Sequence, residues 1–242
     1  MGRPGVAAGD TAALCAARHA AVLPHLGTVN VARDLEEIRR ALGDAGLTYV
    51  GFSYGTLIGA VYAELFPTRV RALVLDGVVD PARSSEDLAL AQAHAFEQAF
   101  DRWSAWCARA CCAFKGGEDP AAAYNRLRAR VEATPIPAVR ANRPAGPAEL
   151  EMATIGALYA DATWPMLAIA LASADTGDGS AVVQLADLFV TFRNPVDGTY
   201  PNIHEANAAV NCLDQAVVRD RTTFRATAAR VAAAAPRFGR SI

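Results

Sequence analysis

The sequence predicts an α/β fold in which a short parallel sheet is followed by a mainly helical region. Between residues 28 and 80, helical and strand patterns alternate, which is typical of a parallel sheet covered by helices. A Gly-x-Ser-x-Gly motif at residues 51–55 separates the first strand from the helix after it. From residue 84 to about residue 230 the chain shows helical segments and no convincing strand.

The alternating part begins with a helix that Thr28 is expected to cap and Gly43 to end. Its apolar side chains recur at helical spacing, and this pattern predicts that they face inward: Val31, Leu35, Ile38 and Leu42. Three further elements follow: a strand at Leu47–Gly51, a helix at Tyr54–Phe66 and a strand at Val70–Leu75. Adjacent parallel strands need a crossover connection, and the helix between these two strands can supply it. The two strands are therefore expected to lie side by side.

The helical part is expected to begin at Ser84, which forms a capping pair with Asp87. Asp119 precedes Pro120 at the start of another helix, where proline is well tolerated. Asn202 and Glu205 are predicted to form a further capping pair.

The composition narrows the class of protein. Apolar residues make up 52% of the 242 residues and charged residues 20%, which is typical of a globular protein. The formal net charge of -2 provides no basic field for nucleic acid. We predict no membrane-spanning helix, because every apolar run is interrupted well before the length that a span requires. The sequence also predicts no metal site and no cofactor, since the cysteines lack a second pair of ligands at zinc spacing.

The Gly-x-Ser-x-Gly motif predicts a nucleophile on a sharp turn between a strand and a helix. Ser53 is the predicted nucleophile, and Gly51 and Gly55 remove side chains that would clash beside it. The backbone N–H of Tyr54 is predicted to form half of an oxyanion hole at the positive end of the helix. The competing interpretation is a glycine-rich turn with an incidental serine.

Four sequence segments resemble secreted actinobacterial tripeptidyl aminopeptidases, which are serine peptidases of the α/β-hydrolase superfamily. These segments are Ala32–Arg39, Tyr49–Thr56, Tyr62–Pro67 and Val74–Pro81, and looser similarity continues through Trp106-Cys107, Trp164-Pro165 and Asn211–Asp214. The resemblance implies a partial α/β-hydrolase core at residues 1–82 and a helical cap at residues 83–242.

The resemblance also implies an activity, namely release of short peptides from a free N-terminus through an acyl-enzyme on Ser53. The partner is then a peptide or a small acyl substrate. Acidic cap residues hold the substrate ammonium group in such enzymes, and Glu205 and Asp214 are the candidates here. The relatives are secreted, whereas the sequence itself predicts neither the localisation nor the oligomeric state.

The chain departs from the family pattern at both ends. It contains no glycine-rich loop before the motif to supply a second oxyanion donor, and no segment after Asp214 with the family's catalytic Asp and His. The chain is therefore expected to be an internal fragment without that Asp and His. By the same resemblance, Cys15 and Cys212 are expected to have their disulfide partners outside the chain. Cys107 can pair locally.

Two histidines follow Ser53, and neither is favoured as its base. His94 lies opposite the apolar stripe of its helix and His204 lies in a first helical turn, as solvated residues do. Asp76 ends a strand and is a candidate acid, although it resembles a structural turn of the family. The alternatives to a peptidase are an esterase with the same turn and a non-catalytic remnant that binds peptides through the cap.

Disulfide mapping tests the cysteine assignment. In an oxidising compartment, Cys107 is expected to pair with Cys111 or Cys112, because only these thiols lie within local reach, while Cys15 and Cys212 stay free. A bond between Cys15 and Cys212 would contradict the view that both have partners elsewhere.

An activity assay tests the fragment interpretation. The chain made alone is expected to have no significant peptidase activity, since a serine hydroxyl needs an oriented histidine to become a nucleophile near neutral pH. The measurement is turnover of a tripeptide amide. Activity lost in both Ser53→Ala and His94→Ala, or in both Ser53→Ala and His204→Ala, would reveal an internal base.

Overall fold

The structure is a computed structural model that describes residues 8–110, 112–114, 117–141, 143–216 and 218–239. In chain order the elements are α1 (Ala8–His19), α2 (Thr28–Ala41), β1 (Leu47–Phe52), α3 (Tyr54–Leu65), β2 (Val70–Asp76), α4 (Ser85–Arg109), α5 (Pro120–Ala133), α6 (Pro147–Leu158), α7 (Trp164–Asp175), α8 (Ser180–Ala186), α9 (Ile203–Asp214) and α10 (Arg221–Ala234). The predicted alternation of helix and strand before residue 80, and the helical character after it, are confirmed.

Two compact units make up the chain. The first unit comprises Met1–Asp87 and Asn202–Arg219, and the second comprises Leu88–Pro201 and Asp220–Ile242. The segment with α9 therefore belongs to the same unit as the strands. The functional division into core and cap stays a prediction.

The sheet of the first unit is a parallel pair, as predicted. Val50 of β1 lies opposite Val74 of β2, and Phe52 lies opposite Asp76. One face of β1 is covered by α3, since Leu47 is buried and packs with Tyr62 of that helix. Phe52, by contrast, is 66% exposed. Alternation along each strand therefore gives the pair one packed face and one open face in the described part of the chain.

The predicted inward face of α2 is confirmed for Leu35, which packs against the core, and is wrong for the other three residues. Ile38 is 55% exposed and Leu42 is 71% exposed, whereas Ala32, Glu36 and Arg39 are buried. The two buried charges are neutralised by each other, with 2.7 Å between Arg39 Nη2 and Glu36 Oε1. Their pairing lets a charged face pack where apolar periodicity predicted an apolar one.

Both ends of α2 are defined by backbone geometry. Thr28 is the first helical residue rather than the predicted cap, and extended Gly27 precedes it. At the other end Gly43 has φ +76°. The N–H of Gly43 donates to Arg40 O at 3.1 Å and that of Asp44 to Arg39 O at 3.2 Å. These are the two hydrogen bonds of a Schellman motif, so the predicted glycine stop is confirmed.

The second unit is a helical assembly around an aromatic core. Phe100 and Trp103 of α4 are fully buried, and the ring of Phe100 lies 4.8 Å from that of Tyr124 in α5. Within its described residues the nearest feature to a strand is one isolated antiparallel bridge between Ile136 and Ala145. The absence of strands predicted for this region therefore holds for the part that the structure describes.

The predicted caps differ in outcome. Ser84 Oγ accepts from the N–H of Asp87 at 3.1 Å, so this cap is confirmed. The helix start at Asp119-Pro120 is also confirmed, and Asp119 Oδ2 accepts from the N–H of Ala122 at 3.0 Å. The Asn202 side chain caps no amide of α9, so the predicted pair with Glu205 is wrong.

Cysteines 107 and 112 form a disulfide, while Cys15 and Cys212 are free thiols. Of the two predicted local partners the structure thus contains the second, and Cys111 lies outside the described residues. A bridge that spans five positions constrains a short loop, so its entropic effect is at the low end for disulfides.

None of the helices in the described residues combines the length and the apolarity needed to cross a membrane.

Acid unfolding tests the buried pair on α2. Hydrogen bonds from Arg39 and then from Tyr62 lower the pKa of the Glu36 carboxyl from its ordinary value of 4.5 to about 2. A carboxyl with a lowered folded pKa stabilises the protein above its unfolded pKa, and this contribution is lost as the pH falls through the folded value. The unfolding free energy of the wild type should therefore decline between about pH 5 and pH 2.

The matched variants for this prediction are Glu36→Gln and Glu37→Gln. Glu36→Gln should lower stability at neutral pH and flatten the decline, because it removes the titrating group. Glu37 forms an exposed pair with Arg40, which contributes little, so Glu37→Gln should keep the wild-type slope. Urea unfolding midpoints across this pH range provide the measurement. Equal slopes for the two variants would contradict the prediction.

Reduction tests the disulfide. Opening a loop of this size should lower the unfolding free energy of the chain by about 2 kcal/mol. Cys112→Ser should have the same effect without reductant, whereas Cys111→Ser should leave urea unfolding unchanged. A loss of stability in Cys111→Ser, with none in Cys112→Ser, would assign the bridge to Cys111 instead.

Candidate active site

Ser53 occupies the turn that joins β1 to α3. Its backbone has φ 51° and ψ −120°, outside the helical and extended regions. Apart from Phe192, it is the one non-glycine residue with positive φ in the part of the chain that the structure describes. Such a conformation costs on the order of 1–3 kcal/mol and persists only where the surroundings enforce it. The side chain is exposed. The sharp turn predicted at Ser53, between a strand and a helix, is confirmed.

The glycines of the motif provide space to different degrees. A Cβ on Gly51 would lie 2.5 Å from Gly55 O and 2.7 Å from a ring carbon of Tyr49. Gly51 is therefore required by sterics. A Cβ on Gly55 would lie 3.3 Å from the Tyr49 hydroxyl, a tight but milder contact. On the next turn, a Cβ on Gly59 would lie 2.8 Å from Leu75, so this glycine lets α3 approach the sheet.

The carbonyl of Ser53 is held by a threonine that the sequence analysis did not single out. Ser53 O accepts from Thr56 Oγ1 at 2.6 Å and from Thr56 N at 2.9 Å. The same hydroxyl accepts from the N–H of Val79, at 2.9 Å, in the loop after β2. Thr56 is almost fully buried, and it joins the turn to the end of the second strand. A threonine three residues after the serine was the available signal.

Two further contacts immobilise the turn. The N–H of Ser53 donates to Asp76 O at 2.9 Å, which continues the parallel pairing by one residue. The Tyr49 hydroxyl donates to Gly55 O at 2.7 Å, so the ring that lies beneath the glycines also holds the first turn of α3. Sequence reasoning treated Tyr49 only as a strand residue.

Tyr54 follows Ser53 and begins α3. Its N–H has no acceptor within the helix, because the first amides of any helix lack one. Burial, and then the hydrogen bond to Asp214, raises the pKa of the Tyr54 phenol from 10.0 to about 12. The phenol is therefore neutral and a donor at physiological pH.

Asp214 lies at the end of α9, and its carboxylate accepts three hydrogen bonds from the protein. Its Oδ1 accepts from Thr28 N at 2.8 Å, and its Oδ2 accepts from Thr28 Oγ1 at 2.6 Å and from the Tyr54 hydroxyl. The carboxylate thus supplies the acceptor that the first amide of α2 lacks. Its predicted contact with a substrate ammonium group stays a prediction, and the observed partners favour a structural role.

The other predicted residues are dispersed over the surface. Glu205, His204 and His94 are exposed, as is the side chain of Asp76 at the end of β2. Among the described residues of the first unit, which include His19, His25 and His204, no histidine hydrogen-bonds to Ser53. The expectation that the catalytic Asp and His are absent from the chain stays a prediction.

Comparison with known proteins adds a family and several relatives. Residues 3–163 match the family described as the alpha/beta hydrolase fold. The chain is 43% identical over 209 residues to serine protease Hip1 of Mycobacterium tuberculosis, a match that covers 82% of this chain and 39% of that protein. It is 38% identical over 207 residues to tripeptidyl aminopeptidase of Streptomyces lividans, covering 83% and 37%.

A third relative is described as an esterase. The chain is 37% identical over 218 residues to carboxylesterase B of M. tuberculosis, with coverage of 88% of this chain and 41% of that protein. The chain therefore spans well under half the length of these curated relatives.

Substitution of the two motif glycines tests the steric account. Gly51→Ala should lower the unfolding free energy by about 1–3 kcal/mol, because its methyl group would meet backbone that cannot move away. Gly55→Ala should cost less, since a tyrosine hydroxyl can shift. Urea unfolding of the two variants is the measurement. An equal or larger loss for Gly55→Ala would contradict the argument.

Proposed function

The chain belongs to the α/β-hydrolase fold family, and from this premise we propose that it carries the nucleophile of a serine hydrolase. The observation that supports the proposal is the backbone of Ser53. A non-glycine residue is held at positive φ between a parallel strand and a helix, with its side chain exposed. Strain of this kind at an exposed serine is typical of a nucleophile.

The proposed reaction is acyl transfer through Ser53. Its Oγ attacks the acyl carbonyl carbon while a general base takes the hydroxyl proton. The leaving amine or alcohol departs with that proton, and the acyl-enzyme is then hydrolysed by water. The Tyr54 N–H stabilises the oxyanion as the tetrahedral intermediate forms. The proposal assigns the base to none of the three histidines of the first unit, His19, His25 and His204, because none of them hydrogen-bonds to Ser53 there.

For the substrate, we propose peptides with a free N-terminus. Two relatives support peptides, since one is described as a tripeptidyl aminopeptidase and another as a serine protease. An ester substrate is the second candidate, and the relative described as carboxylesterase B favours it. The turn that presents Ser53 suits both reactions, because each passes through the same tetrahedral intermediate.

Labelling with a fluorophosphonate probe tests the nucleophile. Added imidazole can replace a missing histidine, and a general base contributes roughly a hundredfold or more to such reactions. We therefore expect imidazole to raise the labelling rate of the folded chain at least about tenfold, with the label on Ser53 by peptide mapping. Ser53→Ala should abolish labelling, while Ser84→Ala, at an exposed helix cap, should retain it. Labelling that persists in Ser53→Ala, or an absence of label on Ser53 in the presence of imidazole, would overturn the proposal.

Substrate choice is tested under the same conditions. A tripeptide amide with a free N-terminus should be cleaved faster than its N-acetylated counterpart. Preference for a short acyl ester over both would favour the esterase.

A further inference from the structure

We propose that Asp214 is a positioning residue, which holds the Ser53 turn in its reactive shape through the side chain of Tyr54. The proposal rests on the proposed function, because it assumes that the Tyr54 N–H stabilises an oxyanion. It gives Asp214 a role different from the substrate contact predicted from the sequence.

The contacts of Asp214 converge on the turn and on its neighbouring helix. Its carboxylate joins the N-terminus of α2, through Thr28, to the N-terminus of α3, through Tyr54. Thr28 Oγ1 also lies 3.2 Å from the Tyr54 hydroxyl, so the three side chains form a closed triangle. Thr28 is buried and lies 186 positions from Asp214 in sequence. The triangle is therefore a tertiary clamp rather than a local turn.

The location of Tyr54 gives this clamp a catalytic consequence. Tyr54 is the residue whose N–H points from the start of α3 beside Ser53, and its ring is anchored by the hydroxyl at the far end. Fixing that end limits rotation of the first turn of α3 and so fixes the direction of the N–H. Displacement of a reacting group by about 1 Å can cost roughly a hundredfold in rate.

The charge of Asp214 is already compensated. Three donors occupy three of the roughly four acceptor positions of a carboxylate. The N-terminus of α2 adds a partial positive charge next to it. An incoming ammonium group would find about one acceptor position open on a carboxylate whose charge is already partly compensated, which makes a substrate contact less favourable than the observed arrangement.

The chain contains a matched control on the same helix. Tyr62 of α3 donates to the carboxylate of Glu36 at 2.6 Å, just as Tyr54 donates to Asp214. Tyr62 lies two turns further along α3 and has no contact with Ser53 among the described residues. Tyr54→Phe and Tyr62→Phe therefore each delete a hydrogen bond from a tyrosine hydroxyl to a carboxylate. The first of these bonds lies beside the turn and the second lies away from it.

Hydrogen exchange of the folded chain tests the clamp without requiring activity. We expect the amides of Ser53 and Thr56, which are hydrogen-bonded within the turn, to exchange about tenfold faster in Tyr54→Phe and in Asp214→Asn than in wild type. Tyr62→Phe should leave exchange at the turn unchanged, even where it lowers the urea midpoint as much. Equal exchange at the turn in the two phenylalanine variants would reduce Asp214 to a helix cap and overturn the proposal.

Labelling of Ser53 separates this proposal from the proposed function. With imidazole present, Tyr54→Phe and Asp214→Asn should slow labelling about tenfold, and Tyr62→Phe should not. If the wild type carries no label on Ser53, the hydrolase function fails, and the exchange data still decide whether the clamp exists. If Asp214→Asn slows cleavage only of substrates with a free N-terminus, while exchange at the turn is unchanged, Asp214 contacts substrate and the positioning role is wrong.

Discussion

The positive φ of Ser53 is the constraint on which the first unit is organised. A residue with a Cβ atom is strained in this conformation, so the interactions that stabilise it must come from the surrounding structure. Three hydrogen bonds engage the serine backbone, two from Thr56 and one to Asp76. These hydrogen bonds can form only if β1 is paired with the end of β2 and α3 has begun directly after Ser53. The turn and the strand pair therefore stabilise each other, and neither is expected to persist alone.

Two carboxylate–tyrosine pairs occur along α3, and they have different structural roles. Glu36 with Tyr62 joins the middle of α2 to α3, and Arg39 compensates the charge. Asp214 with Tyr54 acts at the start of the same helix, where the amide of Thr28 provides the compensation. A buried or half-buried carboxylate is tolerated only when its lone pairs are satisfied.

The family and the site support different levels of conclusion about function. Membership of the α/β-hydrolase fold family rests on the match of residues 3–163. The same fold carries peptidases and esterases, and the relatives include proteins described as both. The chemistry proposed for Ser53 is common to these reactions, whereas substrate choice depends on what surrounds the serine. The division between a shared turn and variable surroundings explains why the nucleophile is easier to propose than the substrate.

Local sequence patterns were sufficient for the parallel strands, the position of Ser53 in its turn and the stop at Gly43. Each depends on neighbouring residues, such as a glycine at a positive φ or a serine between a strand and a helix. Tertiary structure alone decided which face of α2 is buried. Apolar periodicity predicted that Ile38 faces inward, whereas the structure buries the ion pair of Glu36 and Arg39 and leaves Ile38 exposed. It also decided the environment of Asp214, whose partner Thr28 is 186 positions away. Periodicity and motifs describe the chain over a few turns, whereas the compensation of a carboxylate requires groups that only folding brings within hydrogen-bonding distance.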